Sequence, residues 1–392
     1  MKTRRILLSG LLALSMLLTA CSFMQTHETP RLNGSDPVGT DPASSGTKPT
    51  DPTTTERSYP ASWSRTSAAT EPEEDERDVR HRVIFSFTDV QAAGYETVLA
   101  LPLDGSETGL TKNVSDKKNV FVAGEYAVAP NGHIIVADYT ENKTVFREYA
   151  DGELVRTLTD PAEVGERPLW KCPTFRGDTF CAALYDYAMW DPIYLMGGDG
   201  VLAFKDEPWN KSHDLLSVRG TAAGHLILQD GGYGNSRTRI VDAAGNVLFA
   251  EENLSGSLTE DGAGNRIQLA ADDDTTTVTV TSPAGEPLSV CELLKPEDTY
   301  LFWSLIGADE RGNVYLLADP TSNMTNGYPD VYLIRLDPMT GEAHIASMQT
   351  LYVGLVMNEP RLQVTPDGTV YRSECSEADG YRILRFDPWD EE

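Results

Sequence analysis

The chain has 392 residues and a formal net charge of −28, from 32 basic and 60 acidic side chains. A surface this acidic repels nucleic acid and anionic lipid headgroups, so the composition argues against nucleic-acid binding and against electrostatic attachment to a membrane. We attribute much of the charge to solubility, and acidity alone does not identify a cationic ligand.

The N-terminus has the pattern of a secretory leader. Basic residues stand at positions 2, 4 and 5, and the thirteen residues Ile6 to Leu18 are apolar or small. Thirteen residues are too few to cross a bilayer core of roughly 30 Å as a helix. Residues 1–20 are therefore predicted to be a signal peptide.

The leader ends in Leu18-Thr19-Ala20-Cys21, which resembles the bacterial lipobox. In that family the cysteine thiol receives a diacylglyceryl group and becomes the new N-terminus. The resemblance implies that Cys21 is lipidated and holds the protein on the extracytoplasmic face of the cell membrane. Each buried CH₂ contributes about 0.8 kcal/mol, and one acyl chain alone gives only marginal anchoring. The alternatives are an ordinary secretory signal and an uncleaved signal anchor.

Residues 21–79 read as a lipidated cysteine followed by a disordered linker. Seven prolines and eighteen Ser/Thr lie between Ser22 and Asp78, with few aliphatic residues. Such a segment cannot bury enough apolar surface to offset its ordering entropy. As a flexible coil it would span about 40 Å. A long polar linker after a lipobox resembles the spacers that carry domains through a Gram-positive wall.

Residues 80–392 are predicted to form an all-β domain. Short apolar runs alternate there with turn residues, and no run keeps a 3.6-residue period. Turn glycines recur at positions 132, 177, 224, 264, 312 and 368, with spacings of 40 to 56 residues. This spacing matches one four-stranded blade of a β-propeller. We expect about seven four-stranded blades, or six if the first and last segments merge into one blade.

Two repeats resemble known propeller units. The segment "VAPNGHIIVADYTENKTVFREYADG" resembles an NHL-type repeat, and "VYLIRLDPMTGE" resembles a unit of related bacterial extracytoplasmic propellers. The resemblance implies the fold and leaves the function open, since propellers host binding, scaffolding and catalysis. The last blade stops after its third strand. We expect Arg82–Thr88 to supply the missing outer strand and close the ring.

Four cysteines lie in the propeller region. Cys172 and Cys181 flank the turn Phe175–Asp178 symmetrically, so a hairpin there would bring them face to face. They are predicted to form either a disulfide, which an extracytoplasmic location permits, or a pair of buried thiols. Cys291 and Cys375 read as core residues.

An acidic residue recurs six or seven positions after the turn glycine in four repeats. These residues are Asp138, Asp230, Asp319 and Glu374. In a propeller they would lie near the face where ligands enter and form part of a ring that attracts a cation, an amine or a basic peptide. The alternative is that each carboxylate caps the turn that follows its strand.

Aromatic residues are concentrated between Leu184 and Tyr194, and Tyr187 and Trp190 are the candidates for ligand contact. Flat rings cover the apolar face of a sugar, while carboxylates accept its hydroxyl hydrogens. The alternative is an aromatic plug between two blades. Trp170 and Trp303 are expected in innermost strands, where they line the channel or pack.

No catalytic signature appears: the chain has no G-x-S-x-G elbow, phosphate-binding loop, H-E-x-x-H or EF-hand motif. We therefore assign no catalytic residues, and no cofactor except, at most, a divalent cation with unknown ligands. His133 and His225 directly follow turn glycines and are predicted to face solvent.

Three functions fit these observations. The first is a membrane-anchored extracytoplasmic binding or scaffold protein that holds a glycan, peptide or protein partner on one propeller face. The second is a metal-dependent hydrolase or lyase similar to the gluconolactonase-like propellers, for which no set of ligands aligns. The third is an assembly lipoprotein, against which the long linker argues.

Overall fold

The computed structural model describes residues 80–87, 90–111, 113–114, 120–121, 125–139, 144–158, 169–185, 193–196, 202–206, 214–232, 235–271, 275–295, 301–320, 331–348, 362–376 and 379–386. These residues form β-strands and turns only, and none of them belongs to a helix that could cross a membrane. The predicted signal peptide and linker, residues 1–79, lie outside the described residues.

Most strands belong to sheets that follow one another along the chain. Sheet I contains β5 (Tyr126–Val128), β6 (Ile134–Tyr139), β7 (Thr144–Ala150) and β8 (Glu153–Leu158). Sheet II contains β9 (Leu169–Arg176), β10 (Thr179–Tyr185), β11 (Ile193–Met196) and β12 (Leu202–Asp206). Sheet III contains β13 (Asp214–Gly220), β14 (Leu226–Gly232), β15 (Asn235–Val241) and β16 (Val247–Glu252).

The later sheets recruit strands from the start of the described chain. Sheet IV contains β17 (Ser257–Glu260), β18 (Arg266–Ala271), β19 (Thr276–Thr281), β20 (Pro287–Leu294) and β1 (Arg80–Ile84). Sheet V contains β21 (Leu301–Ala308), β22 (Val314–Pro320), β23 (Val331–Leu336) and β24 (Ala343–Met348). Sheet VI contains β25 (Leu362–Val364), β26 (Val370–Ser376), β27 (Gly380–Phe386) and β2 (Glu96–Leu101), and β3 (Asn113–Val114) pairs with β4 (Val120–Phe121) apart from these sheets.

The sheets form a β-propeller, since each packs face to face on the next and sheet VI returns to sheet I. Strand β6 shows why the strands are apolar on both faces. Ile134 and Val136 pack toward sheet VI, whereas Ile135 and Ala137 pack toward sheet II. The predicted stacking of blades on both sides is thus confirmed. All six predicted turn glycines adopt positive φ, as at Gly312 with φ 94°, which a side chain would disfavour.

The prediction of seven four-stranded blades is wrong. Among the described residues five sheets have four strands, and a sixth, the sheet of β17–β20, carries β1 as a fifth strand. The count of seven treated the segment around β2 as a blade of its own. Instead β2 pairs with β27, from Glu96 opposite Arg385 to Leu101 opposite Tyr381, so the first and last segments share one sheet.

The strand that closes the ring is β2, and not Arg82–Thr88 as predicted. Strand β1 lies parallel to β20, with Arg80 opposite Val290 and Ile84 opposite Leu294. Farther along, Ala93 N–H donates to Ser347 O at 2.7 Å, which attaches the chain to β24. We call residues 80–87 and 90–93 the N-terminal strap. It crosses the outer edges of sheets IV and V before β2 joins sheet VI.

Polar side chains link the innermost strands of neighbouring sheets. Gln363 Oε1 accepts the Val128 N–H at 3.0 Å between sheets VI and I. Glu125 Oε2 accepts the Cys172 N–H at 2.6 Å between sheets I and II. Thr174 Oγ1 accepts the Gly220 N–H at 2.7 Å between sheets II and III. These bonds satisfy backbone groups that would otherwise be buried without partners, and they link the sheets at these three junctions.

Candidate functional site

The propeller has two dissimilar faces. In an antiparallel four-stranded sheet, the turns after the first and third strands emerge on one face, and the connections after the second and fourth strands emerge on the other. Five of the six turns after the first strands span five residues each, as in 309–313. We call this side the turn face. The opposite side, the loop face, has connections of unequal length, such as 321–330 and 349–361. Function concentrates on such variable connections.

The four predicted acids all lie toward the loop-face ends of second strands. Asp138 is in β6, Asp230 in β14, Asp319 in β22 and Glu374 in β26. The sequence therefore placed them correctly along their strands. Their surroundings differ, however, and two of them are bound to arginines.

Asp138 is a buried structural carboxylate, 1% exposed. Its Oδ1 accepts the Thr111 N–H at 2.8 Å, and its Oδ2 accepts from Arg147 Nη1 at 2.9 Å and from the Thr111 hydroxyl at 3.1 Å. Arg147 Nη1 also donates to Gly109 O at 2.6 Å. The pair holds the segment before β3 against sheet I, and the carboxylate is closed to a ligand. Thr111 and Arg147 both lie outside the turn that follows β6, so these contacts are not those of the turn cap that we gave as the alternative.

Glu374 is also engaged by arginines. Its Oε2 accepts from Arg382 Nη2 at 3.2 Å, and its Oε1 lies 3.5 Å from Arg372 Nη2. Burial lowers the pKa of Arg372, and the nearby carboxylate opposes that effect by favouring the charged guanidinium. Two guanidinium groups thus share one carboxylate, which leaves this part of the loop face without excess negative charge.

Asp319 is in a different environment from Asp138 and Glu374. It lies in β22 opposite Phe302 of the innermost strand β21 and is half-buried. Burial raises the pKa of its carboxyl group. Asp230 lies opposite Arg237 of β15 in the backbone register, and its side chain is outside the described part of the chain.

An aromatic cluster lies at the loop-face end of the junction between sheets IV and V. Phe85 of the N-terminal strap packs on Trp303 with ring centroids 5.2 Å apart, and Phe87 packs on Tyr332 at 4.4 Å. Phe85 is buried, whereas the other three rings are half-buried. Trp303 therefore packs between sheets instead of lining the channel. Tyr187 and Trp190 lie outside the described residues, as does the side chain of Trp170.

The two turn histidines contact carboxylates and are not the solvent-facing residues that we predicted. His133 Nδ1 lies 2.7 Å from Glu148 Oε1, and His225 Nδ1 lies 3.0 Å from Glu260 Oε2. Burial favours the neutral acid and raises the pKa of Glu260, although His225 opposes the effect. Burial acts in the same sense on Glu148, but hydrogen bonds from His133 and Arg156 outweigh it and lower the pKa.

A sequence signal for these pairs exists in the turns themselves. In the turns Asp261–Asn265 and Asp309–Asn313, the asparagine Nδ2 donates to the aspartate Oδ2 of the same turn at 2.8 Å. The histidine turns begin with Ala129 and Thr221 in place of aspartate. Each imidazole therefore lacks a carboxylate in its own turn. His133 contacts one from the neighbouring strand β7, and His225 contacts one from β17 of the neighbouring sheet IV.

Contrary to the prediction, Cys172 and Cys181 do not face each other. Cys181 lies opposite Thr174, and the register shifts between Cys181 and Ala183. Both cysteines are thiols, and Cys172 adopts φ 53°. Burial raises the pKa of the Cys181 thiol to about 11. Cys291 is buried in the core, as predicted, and Cys375 is half-buried against the core between sheets VI and I.

The described residues contain no group of three His, Cys, Asp or Glu side chains close enough to hold a metal ion together. The strand-end acids are distributed over different sheets, and Asp138 and Glu374 are occupied by arginines.

No family model and no curated protein matches the chain. Solved structures with a similar arrangement include the β-propeller domain of Myceliophteria thermophila Cps50 (Swd1), with 15% identity, 77% coverage of this chain, 93% of the other and a TM-score of 0.39. The PQQ-bound aldose sugar dehydrogenase of Streptomyces coelicolor has 13% identity, 70% and 98% coverage and a TM-score of 0.39.

A putative gluconolactonase is similar to the same extent, with 12% identity, 75% coverage of this chain, 98% of the other and a TM-score of 0.38. Two of these structures carry the names of a dehydrogenase and a putative gluconolactonase. At these values the likeness does not extend to activity, and no function is transferred from these proteins.

Proposed function

We propose that this protein is a membrane-anchored extracytoplasmic binding or scaffold module, and that its loop face holds a glycan, peptide or protein partner. One observation carries the choice of binding over catalysis. The carboxylates at the strand ends that a catalytic or metal site would use are bound to arginines at Asp138 and Glu374. Those two carboxylates form ion pairs within the propeller itself.

The loop face retains groups suited to recognition. Asp319 is half-buried with a raised carboxyl pKa, and Trp303 and Tyr332 are partly exposed near the same face. Aromatic rings and a carboxyl group together suit sugars and amine-bearing peptides. Tyr187 and Trp190 lie in the sequence between β10 and β11, and we include them in the proposal on that ground alone, since both are outside the described residues.

The location follows from the lipobox resemblance. Lipidation of Cys21 would place the propeller outside the cytoplasm at the end of the Ser/Thr/Pro-rich linker. Mass spectrometry of the mature protein tests this directly. An N-terminal peptide that starts at Cys21 and carries two or three acyl chains supports the proposal, whereas an unmodified Cys21 contradicts it.

The binding function is tested by capture from native envelope extracts and by a glycan array. Trp190→Ala and Asp319→Asn should each reduce binding of the glycan or protein that the wild-type protein retains. Tyr95→Ala is the matched control, because Tyr95 is 53% exposed and lies at the start of β2, away from this surface. Equal binding by all variants would remove the loop face from consideration.

The metal-dependent hydrolase remains the competing proposal, and thermal unfolding with Ca²⁺, Mg²⁺ or Zn²⁺ distinguishes it. A resident ion stabilises the folded state by mass action, so the melting temperature should rise by several degrees with one of these ions. If the binding module is correct, none of the three ions changes it.

A further inference from the structure

The outer edge of sheet III has an unusual composition. In its outermost strand, β16, five of the six residues are exposed. Val247 is 54% exposed and Leu248 is 49% exposed. Among the side chains that the structure describes, this is the only outermost strand with two adjacent exposed aliphatic residues. Exposed apolar edge strands promote pairing with other chains, so natural proteins usually protect them.

Sheets IV and V show how such an edge is covered in this protein. On sheet IV the N-terminal strap adds β1 to β20, and Arg82 Nε donates to Glu292 Oε2 at 2.9 Å. On sheet V the strap is bonded to β24 through Ser347. Sheet III comes just before sheet IV around the ring. The described part of the chain places no strand on its edge.

The charged residues of β16 indicate which kind of strand would fit its outer edge. Glu251 and Glu252 end β16, and both are exposed. Glu252 lies opposite Arg237 in the sheet, whereas Glu251 lies opposite the uncharged Thr238. The edge thus offers an aliphatic pair at one end and a carboxylate at the other. An extended strand with the complementary order has basic and aliphatic residues.

We propose that the outer edge of β16 is a docking site for an extended basic and aliphatic peptide segment of a partner protein, which adds to sheet III as a fifth strand. Backbone hydrogen bonds to the free edge would supply affinity, and alternate side chains would supply specificity. Strand β1 itself, Arg-His-Arg-Val-Ile, has this composition. Laid antiparallel on β16, its order brings basic residues toward Glu251 and aliphatic residues toward Val247 and Leu248.

A labelled peptide with the sequence of residues 79–86, Val-Arg-His-Arg-Val-Ile-Phe-Ser, is the probe, and fluorescence anisotropy with the purified protein is the measurement. We expect saturable binding that weakens roughly tenfold or more in Val247→Lys and Leu248→Lys, since charge and lost apolar contact both oppose docking. Glu251→Gln should weaken binding and reduce its dependence on salt.

The matched control is Val155→Lys. Val155 is 53% exposed in β8, the outermost strand of sheet I, so its replacement adds the same charge at a similar position. It should leave binding unchanged. Because all these side chains are exposed, the variants should keep the circular dichroism spectrum and the melting temperature of the wild type.

Three outcomes would overturn the proposal. Absence of binding is the first. Equal binding by wild type and the β16 variants is the second, and it would mean that the peptide docks elsewhere, including exchange with β1 on β20. The third is a wild-type dimer that Leu248→Lys converts to monomer, because a second copy of this chain would then be the occupant of the edge.

Discussion

Phe85 packs on Trp303 with ring centroids 5.2 Å apart, and this contact joins the strap at the start of the described chain to the innermost strand of sheet V. The two residues are more than two hundred positions apart, yet Phe85 is 2% exposed. Its neighbour Ile84 is 55% exposed. A single step along the backbone thus separates a core side chain from a surface one.

Phe85→Ala is expected to destabilise the propeller by about 3–5 kcal/mol, because it removes a buried ring and leaves a cavity. Ile84→Ala, the control, should cost less than about 0.5 kcal/mol. Urea unfolding followed by tryptophan fluorescence measures both. Similar losses for the two variants would show that the strap is not packed as described.

Asp138→Ala is expected to cost about 3–5 kcal/mol, because Arg147 would remain buried with an uncompensated charge. Replacing both residues, as in Asp138→Ala with Arg147→Met, should recover a large part of the loss. A double-mutant cycle of unfolding free energies measures the coupling. If the two single losses simply add, the pair is not coupled.

The two histidine–glutamate pairs should respond to pH in opposite ways. The pKa of Glu260 is raised in the folded state, so its contribution to stability is present when it is protonated and is lost as pH rises through the folded pKa. Glu260→Gln should therefore gain stability relative to wild type as pH rises from 4 to 7. Unfolding midpoints in urea at each pH provide the measurement.

The pKa of Glu148 is lowered, so its contribution is present above the ordinary value of 4.5 and is lost as pH falls through the folded pKa. Glu148→Gln should cost stability at pH 7, and the difference should shrink in acid. Parallel trends for the two variants would contradict the opposite environments of the two carboxyl groups.

Gly220→Ala is expected to destabilise the junction of sheets II and III by about 1–3 kcal/mol or more, because an added Cβ would lie 1.8 Å from Phe175 O. Gly307→Ala is the control, since a Cβ there would lie 3.5 Å from Val364 Cβ, an ordinary contact. Both glycines lie in innermost strands. Thermal unfolding should separate them clearly, and equal melting temperatures would argue against the close approach of β9 and β13.

The buried thiols should resist alkylation in the native protein. Burial raises the pKa values of Cys181 and Cys291 to about 11, so little thiolate forms at pH 8. Iodoacetamide should label both slowly before denaturation and quickly after it, as read by peptide mass spectrometry. A disulfide between Cys172 and Cys181, in place of the thiols of the structure, would instead keep these two cysteines unlabelled in denaturant until reduction.

Local rules predicted the turns and the sheet surfaces. Positive φ at Gly132 and Gly312 follows from a tight turn between strands, and the apolar faces of β6 follow from stacking on both sides. The partner of a strand far away in the chain has no such local signal. Strands β1 and β2 are both short and partly exposed, and the sequence alone did not indicate that β2 pairs with β27 and β1 with β20.

The candidate site shows the same division. The positions of Asp138 and Glu374 at strand ends follow from counting residues after a glycine. Arg382 lies directly opposite Glu374 in the register of β26 and β27, so this ion pair could be predicted once the strand bounds were known. The residue opposite Asp138 is Val145, and Arg147 is two positions farther along β7, so the register alone did not pair Arg147 with Asp138.

The parallel seat of β1 on β20 also has a mechanical consequence. Any tension that reaches the propeller through the segment N-terminal to Arg80 acts first on β1 and only then on the other strands. A pull along the strand axis shears its five residue pairs together, from Arg80–Val290 to Ile84–Leu294, instead of peeling them one by one. The strap would thus protect β2, and with it the closure of the ring, from force.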